Sequence, residues 1–234
     1  MIDVNNVTKK YGPTIALDHV DFLFHDETVT AIMGENGAGK STLLKICAGV
    51  MNYNSGTIMI DGTNLIEDSI KARSLLGYLP EMPYMYDRLT GREFLLYIAS
   101  LRRFMNAEQE IEFFSEKLGI KDFLDHEIGS YSKGMKQKIS LISSIMHKPK
   151  NLLLDEPVWG LDPLTTRTLR EFILSRKGTT VIATHSPLLV EDVADIVYFL
   201  SKGIVISHGP VNDFIKEHGS IEEAYFNEAE IIYA

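Results

Sequence analysis

One stretch limits what this chain can fold into more than any other: Gly34-Glu35-Asn36-Gly37-Ala38-Gly39-Lys40-Ser41-Thr42. Ahead of it lies an apolar, β-prone run with Val29, Ala31, Ile32 and Met33. Behind it, Leu43, Leu44, Ile46 and Cys47 follow helical spacing. Strand, glycine loop and helix form the context in which Gly-x-x-x-x-Gly-Lys-Ser/Thr cradles phosphate. The glycines let the backbone turn tightly and aim several N–H groups inward, and the new helix adds its positive end. Lys40 is then expected to reach the β- and γ-phosphates of a nucleoside triphosphate, and Ser41 to hold Mg²⁺.

Further along, short apolar runs end in polar clusters. Asn151-Leu152-Leu153-Leu154 leads into Asp155-Glu156, Thr179 to Ala183 leads into Thr184-His185, and Leu76 to Leu79 runs through Pro80 to Glu81. Helical patterns lie near Lys71–Leu76 and Leu164–Leu174. Such alternation predicts an α/β fold with a mostly parallel sheet covered on both faces. Ligands of such sheets bind beyond the carboxyl ends of the strands, so the glycine loop, Asp155-Glu156 and His185 can converge on one edge. There Asp155 fits a carboxylate that holds Mg²⁺. Glu156 fits the group that orients and deprotonates a water attacking the γ-phosphorus. His185 is placed to donate to the γ-phosphate and help fix that water.

The N-terminal part reads as strands and turns: Ile2-Asp3-Val4, a turn over Lys9-Lys10-Tyr11-Gly12-Pro13, and an alternating strand from Ala16 to Phe24. Tyr11 is either a face for a purine or a half-buried turn residue. Residues 90–147 are helical in pattern. Thr90 and Glu93 form a capping box before Phe94, Ile98, Leu101 and Met105 on one face. Asn106 opens a second helix with Ile111, Phe114 and Leu118, stopped by Gly119. Ser132 caps a third with Met135, Ile139, Ile142 and Met146. Val193 to Ile206 predicts two strands around Lys202-Gly203, and residues 210–234 an acidic, helical tail.

Charge and cysteine content remove several functions. Lys and Arg number 23 against 32 Asp and Glu, a formal net charge of -9, which argues against a broad nucleic-acid surface. One cysteine, Cys47, leaves no disulfide framework and reads as a small buried hydrophobe. No apolar run approaches bilayer-spanning length and no leader pattern opens the chain. The expectation is a cytoplasmic protein that reaches a membrane only through another chain.

Together these residues resemble the ATP-binding-cassette (ABC) ATPase domain, the motor of ABC transporters, over about residues 1–209. Tyr131-Ser132-Lys133-Gly134-Met135-Lys136-Gln137-Lys138 is similar to the family signature Leu-Ser-Gly-Gly-Gln. Asp155-Glu156-Pro157 and Gly160-Leu161-Asp162-Pro163 resemble the Walker B end and the D-loop, and Thr184-His185 the H-loop. Glu81 falls at the Q-loop position and Tyr11 at the A-loop position. The resemblance implies a single domain. A P-loop NTPase (RecA-like) core with an N-terminal antiparallel β subdomain would span about 1–81 and 149–209. An inserted α-helical subdomain would span about 82–148, and a tail 210–234.

The resemblance also implies ligands and partners. ATP and Mg²⁺ would bind, with Tyr11 stacked on adenine. Gly34, Asn36, Gly37, Ala38, Gly39, Lys40, Ser41 and Thr42 would surround the phosphates, and Ser41, Asp155 and Glu81 the metal. Glu156 and His185 would be catalytic. Ser132, Lys133 and Gly134 would complete the pocket of another subunit in a head-to-tail dimer of identical or paralogous chains. That dimer would sit on a separate transmembrane permease at the inner face of the membrane. Tyr78-Leu79-Pro80-Glu81 resembles the ABC-2-type exporter branch. Lys133 replaces a signature glycine, and Glu81 replaces a glutamine, losing a donor unless protonated. Trp159 packs either at the dimer interface or in the core. Met82-Pro83-Tyr84-Met85-Tyr86 meets either the permease or the lobe's own core. The alternative is a soluble ABC ATPase that regulates or assembles a non-transport machine.

Overall fold

In the computed structural model, which describes residues 1–233 and side-chain surroundings through residue 230, β3 (Val29–Met33) lies inside a six-stranded sheet. β8 (Thr179–Thr184), β7 (Asn151–Asp155) and β6 (Leu76–Leu79) follow on one side, and β9 (Ile196–Ser201) and β10 (Ile204–Pro210) on the other. All pairs are parallel except β9 with β10. β7 and β8 are buried at every residue, because helices cover both faces; this is why they read as unbroken apolar runs. The glycine loop, Glu81, Asp155-Glu156 and His185 therefore follow four adjacent strands at one sheet edge.

A second sheet, ordered β2-β1-β4-β5, is antiparallel: β1 (Ile2–Tyr11), β2 (Thr14–Phe24), β4 (Ser55–Ile60) and β5 (Thr63–Asn64). Val20, Phe22 and Phe24 alternate inward while Leu23 faces out. The turn expected over residues 9–13 is shorter. β1 continues through Tyr11, with Lys9, Lys10 and Tyr11 paired to Leu17, Ile15 and Thr14. Ladder hydrogen bonds outweigh the polar composition there. Between the two sheets, α1 (Lys40–Cys47) buries Leu43, Leu44, Ile46 and Cys47 against Ile2, Phe24, Ile58 and Ile60. Each such aliphatic side chain contributes about 2 kcal/mol. Burial pushes the Cys47 thiol up to about 12, so it stays protonated and inert.

After α2 (Ser69–Ser74), the helices α3 (Gly91–Leu101), α4 (Ala107–Lys117) and α5 (Lys133–Ile145) pack on the β6–β7 side of the sheet through Leu95, Ile111, Ile139 and Ile142 against Leu79, Leu152 and Leu154. The Thr90–Glu93 capping box forms. The expected stripe through Leu101 and Met105 does not. α3 stops at Leu101, Arg103 takes φ 54°, and Met105 is 91% exposed. α6 (Pro163–Ser175) starts from an Asp162 cap. α7 (Pro187–Val193) stands where only a strand start at Val193 was expected; seven residues are too few for a helical period to show. The tail is two helices, α8 (Val211–His218) and α9 (Ile221–Tyr233). Phe214, Ile221 and Ala224 pack on Met33, Val197 and Phe199. Among the described residues, no helix is long and apolar enough to cross a membrane.

Candidate active site

The turn from β3 into α1 is closed by Gly39 at φ 113°, where an added Cβ would lie 2.6 Å from the Ala16 carbonyl oxygen. Only glycine fits this backbone. Ala16, Asn36, Gly37, Ala38, Gly39, Lys40, Ser41, Thr42, Glu81 and Glu156 together line a cleft of about 310 Å³. The Lys40 ammonium lies inside, donating to the Gly34 carbonyl at 2.7 Å and the Glu35 carbonyl at 3.0 Å. Burial lowers its pKa, while the carboxylates of Glu156, Asp155, Glu81 and Glu35 pull the other way.

Ser41 Oγ donates to Asp155 Oδ1 at 3.0 Å, joining the loop to the end of β7. Asp155 Oδ2 is buried with no hydrogen-bond partner. Burial raises the Asp155 pKa to about 6; the charges of Glu81 and Glu156 add to the rise and the Ser41 bond opposes it. A buried carboxylate with one orphaned oxygen, beside a hydroxyl and two further acids, is a donor set of the hard oxygen type that Mg²⁺ takes. The residues therefore fit the ion.

Glu156 sits one residue past the strand, at φ 48°. A non-glycine residue in that region costs about 1 kcal/mol and is found at sites that need a particular side-chain aim. Its N–H donates to the Ala183 carbonyl at 2.9 Å. Its two carboxylate oxygens are separately engaged: Thr184 Oγ1 donates to Oε2 at 3.1 Å, and His185 Nδ1 lies 2.7 Å from Oε1. Thr184 as the second holder of Glu156 was not legible in the sequence, since a strand-end threonine carries no distinguishing pattern.

The other expected residues lie outside the cleft lining. Tyr11 ends β1 exposed, its hydroxyl donating to Met51 Sδ at 2.8 Å and its ring 4.9 Å from the Lys9 ammonium. Ser132 caps α5, its Oγ accepting the Met135 N–H at 3.2 Å. The Lys133 ammonium lies over the ring of Trp159, which is 37% exposed. The lysine that replaces a signature glycine thus touches the tryptophan ahead of residues 160–163. The first turn of α5 is also pinned to the start of α6. A Cβ on Gly134 would lie 2.7 Å from the Gly160 carbonyl oxygen, and Lys138 pairs with Asp162 at 3.0 Å.

Residues 17–159 match the ABC transporter family. The bacitracin transport ATP-binding protein BcrA of Enterococcus faecalis is 31% identical over 227 residues, covering 95% of this chain and 73% of that protein. A solved ATP-binding subunit of an ABC transporter superposes with a TM-score of 0.91 at 28% identity, covering 98% of this chain and 99% of the other. A bacterial ABC transporter cassette solved as a dimer gives 0.80 at 21% identity over 90% of this chain and 98% of its own; that likeness speaks for the fold alone.

Proposed function

The chain belongs to the ABC transporter family and is an ATP hydrolase, and from that premise we propose that it is the motor subunit of an exporter, working as a head-to-tail dimer on a separate transmembrane permease. One observation carries the catalytic reading: the Ser41–Asp155 hydrogen bond with the buried, unpartnered second oxygen of Asp155, set beside Glu156. Lys40 leaves its two carbonyls to neutralise the β- and γ-phosphates, while the loop N–H groups and the α1 dipole hold the anion. Ser41 and Asp155 would hold Mg²⁺, which supplies further charge neutralisation at the phosphates; Glu81 faces the same cleft. Glu156, held by Thr184 and His185, orients the attacking water and takes its proton. The bond from the γ-phosphorus to its bridging oxygen breaks, leaving ADP and phosphate.

The dimer is supported by the α5 N-terminus, whose Ser132 and first-turn N–H groups lie outside the cleft of their own chain. A docking face is supported by Met82, Tyr84 and Tyr86, exposed by 56%, 89% and 60%, while Met85 packs inward. The same loop continues to Asp87, which pairs with Lys136 on α5 at 2.9 Å. Movement of the loop can thus reach the signature helix. Nearby, Arg73, Arg102 and Arg103 line a groove with Ile70 and Leu101 and have no carboxylate partner among the described residues. An acidic, partly apolar segment of the permease suits it. The likeness of Tyr78-Leu79-Pro80-Glu81 to the ABC-2-type exporter branch supports export as the direction.

The test is Glu156→Gln in saturating ATP. Sizing should show a dimer, and solubilised membranes should yield a multi-span partner with it. A variant that stays monomeric even with its partner present would defeat the sandwich, and co-purification with soluble proteins only would favour a non-transport machine.

A further inference from the structure

The C-terminal helix reaches the glycine loop. On α9, the phenolic oxygen of Tyr225 accepts the Glu35 N–H at 3.1 Å. That N–H and the Gly34 carbonyl belong to one peptide group, and a trans peptide presents them on opposite sides. The Gly34 carbonyl accepts the Lys40 ammonium at 2.7 Å. One peptide plane at the entrance of the loop is therefore held from both sides, by the lysine and by the tyrosine. The next carbonyl, Glu35, accepts Lys40 at 3.0 Å and the Ala38 N–H at 3.1 Å, so the plane's neighbour also shapes the loop.

The tyrosine is itself fixed. Its ring centroid lies 5.6 Å from that of Phe199 on β9, edge to face. Ile221 and Ala224 bury the same helix, and the Glu191 carboxylate accepts the Ile221 N–H at 2.8 Å. Glu191 is on α7, the helix that follows His185. α9 thus connects the loop after β3 to the helix after β8.

We propose that Tyr225 is a positioning residue for the nucleotide site: its hydroxyl orients the Gly34–Glu35 peptide so that the loop donors are aimed before nucleotide arrives. This rests on the phosphate-binding reading of Lys40 and the loop. When the Lys40 ammonium moves to the phosphates, the plane loses one hold and the tyrosine keeps it from turning. Donors ordered in advance bind more tightly, because less ordering accompanies binding. The hydrogen bond lies at the surface, where water competes, so the effect is a few-fold.

Tyr225→Phe removes only the oxygen and keeps the ring on Phe199. KM and kcat for ATP, the Kd for ADP, hydrogen exchange at the Glu35 amide and the melting temperature are compared with the parent. KM and the ADP Kd should each rise about threefold and Glu35 exchange should quicken by a similar factor. kcat and the melting temperature should hold. Unchanged KM and exchange overturn the proposal, and so does a fall in kcat and melting temperature at constant KM, the mark of a packing defect. Lys40→Ala separates the two levels. If it still binds ATP, the parent reading fails and takes this inference with it. If it does not, while Tyr225→Phe binds like the parent, only this inference fails.

Discussion

α1 and α5 each open with serine, glycine and lysine at their first residues, and each presents free N–H groups at its N-terminus. The fold finishes only the first. At α1 the loop encloses a cleft, Lys40 is held on two carbonyls, and the charges of Glu156, Asp155, Glu81 and Glu35 act on it. At α5 the serine serves its own helix, Lys133 lies on Trp159, and the turn is fastened to α6. The first terminus has its counter-charges within reach in one chain. The second is fastened to α6 and lies outside that cleft, as the proposed dimer requires of a surface whose ligand arrives from elsewhere.

Variants that act on one terminus and not the other test this difference. Glu156→Gln should have the largest effect, lowering kcat by about 10³-fold with ATP affinity retained. Phosphate release and nucleotide titration check it, and lost affinity would mean that the carboxylate binds rather than reacts. Lys40→Ala comes next, weakening ATP binding to the isolated chain by about 100-fold, since it removes charge-assisted contacts to phosphate. Ser132→Ala should lower turnover of the assembled dimer about tenfold, beyond the ~1 kcal/mol of lost helix cap. The isolated chain should bind ATP as before. If its affinity falls as in Lys40→Ala, the two termini form one site within a chain and the distinction fails.

The smallest effect concerns pH at the far end of α5. His147 follows that helix, with Nε2 3.2 Å from the Leu76 carbonyl oxygen and Nδ1 buried without a partner. Burial, aided by the Arg102 charge, lowers its pKa to about 4 against the Leu76 contact. The folded chain keeps the ring neutral, so below about pH 6.5 the unfolded chain binds the extra proton. The contribution of His147 to stability should be level above pH 6.5, fall as pH drops toward 4, and level again. Asp155, raised by burial, acts in the opposite direction, so the contribution is read as the difference between the parent and a His147 variant. The loss at pH 5 is about 1–2 kcal/mol, or a few degrees in melting temperature. His147→Gln should flatten that slope; an unchanged slope would assign it to other groups.

Much of this was legible locally. The strand, loop and helix around Lys40, the Thr90–Glu93 box and the Ser132 cap are spelled within a few residues, and each appears in place. Patterns failed where a competing force lay outside the window. Sheet pairing straightened Lys9 to Tyr11, and the end of α3 put Met105 in solvent. α7 was too short to announce itself, and the tail's packing on Phe199 has no mark in its own composition.

From the sequence came the identity of the chemical groups and the turns that present them, because caps, glycine loops and amphipathic periods act between residues a few positions apart. Only the tertiary structure decided which groups meet. Ser41 with Asp155, Glu156 with Thr184 and His185, Lys133 with Trp159, and Glu35 with Tyr225 are partners across long stretches of chain. The order of strands in the sheet brings them together. A single hydrogen bond, worth about 1 kcal/mol, leaves no periodic trace in the residues that make it.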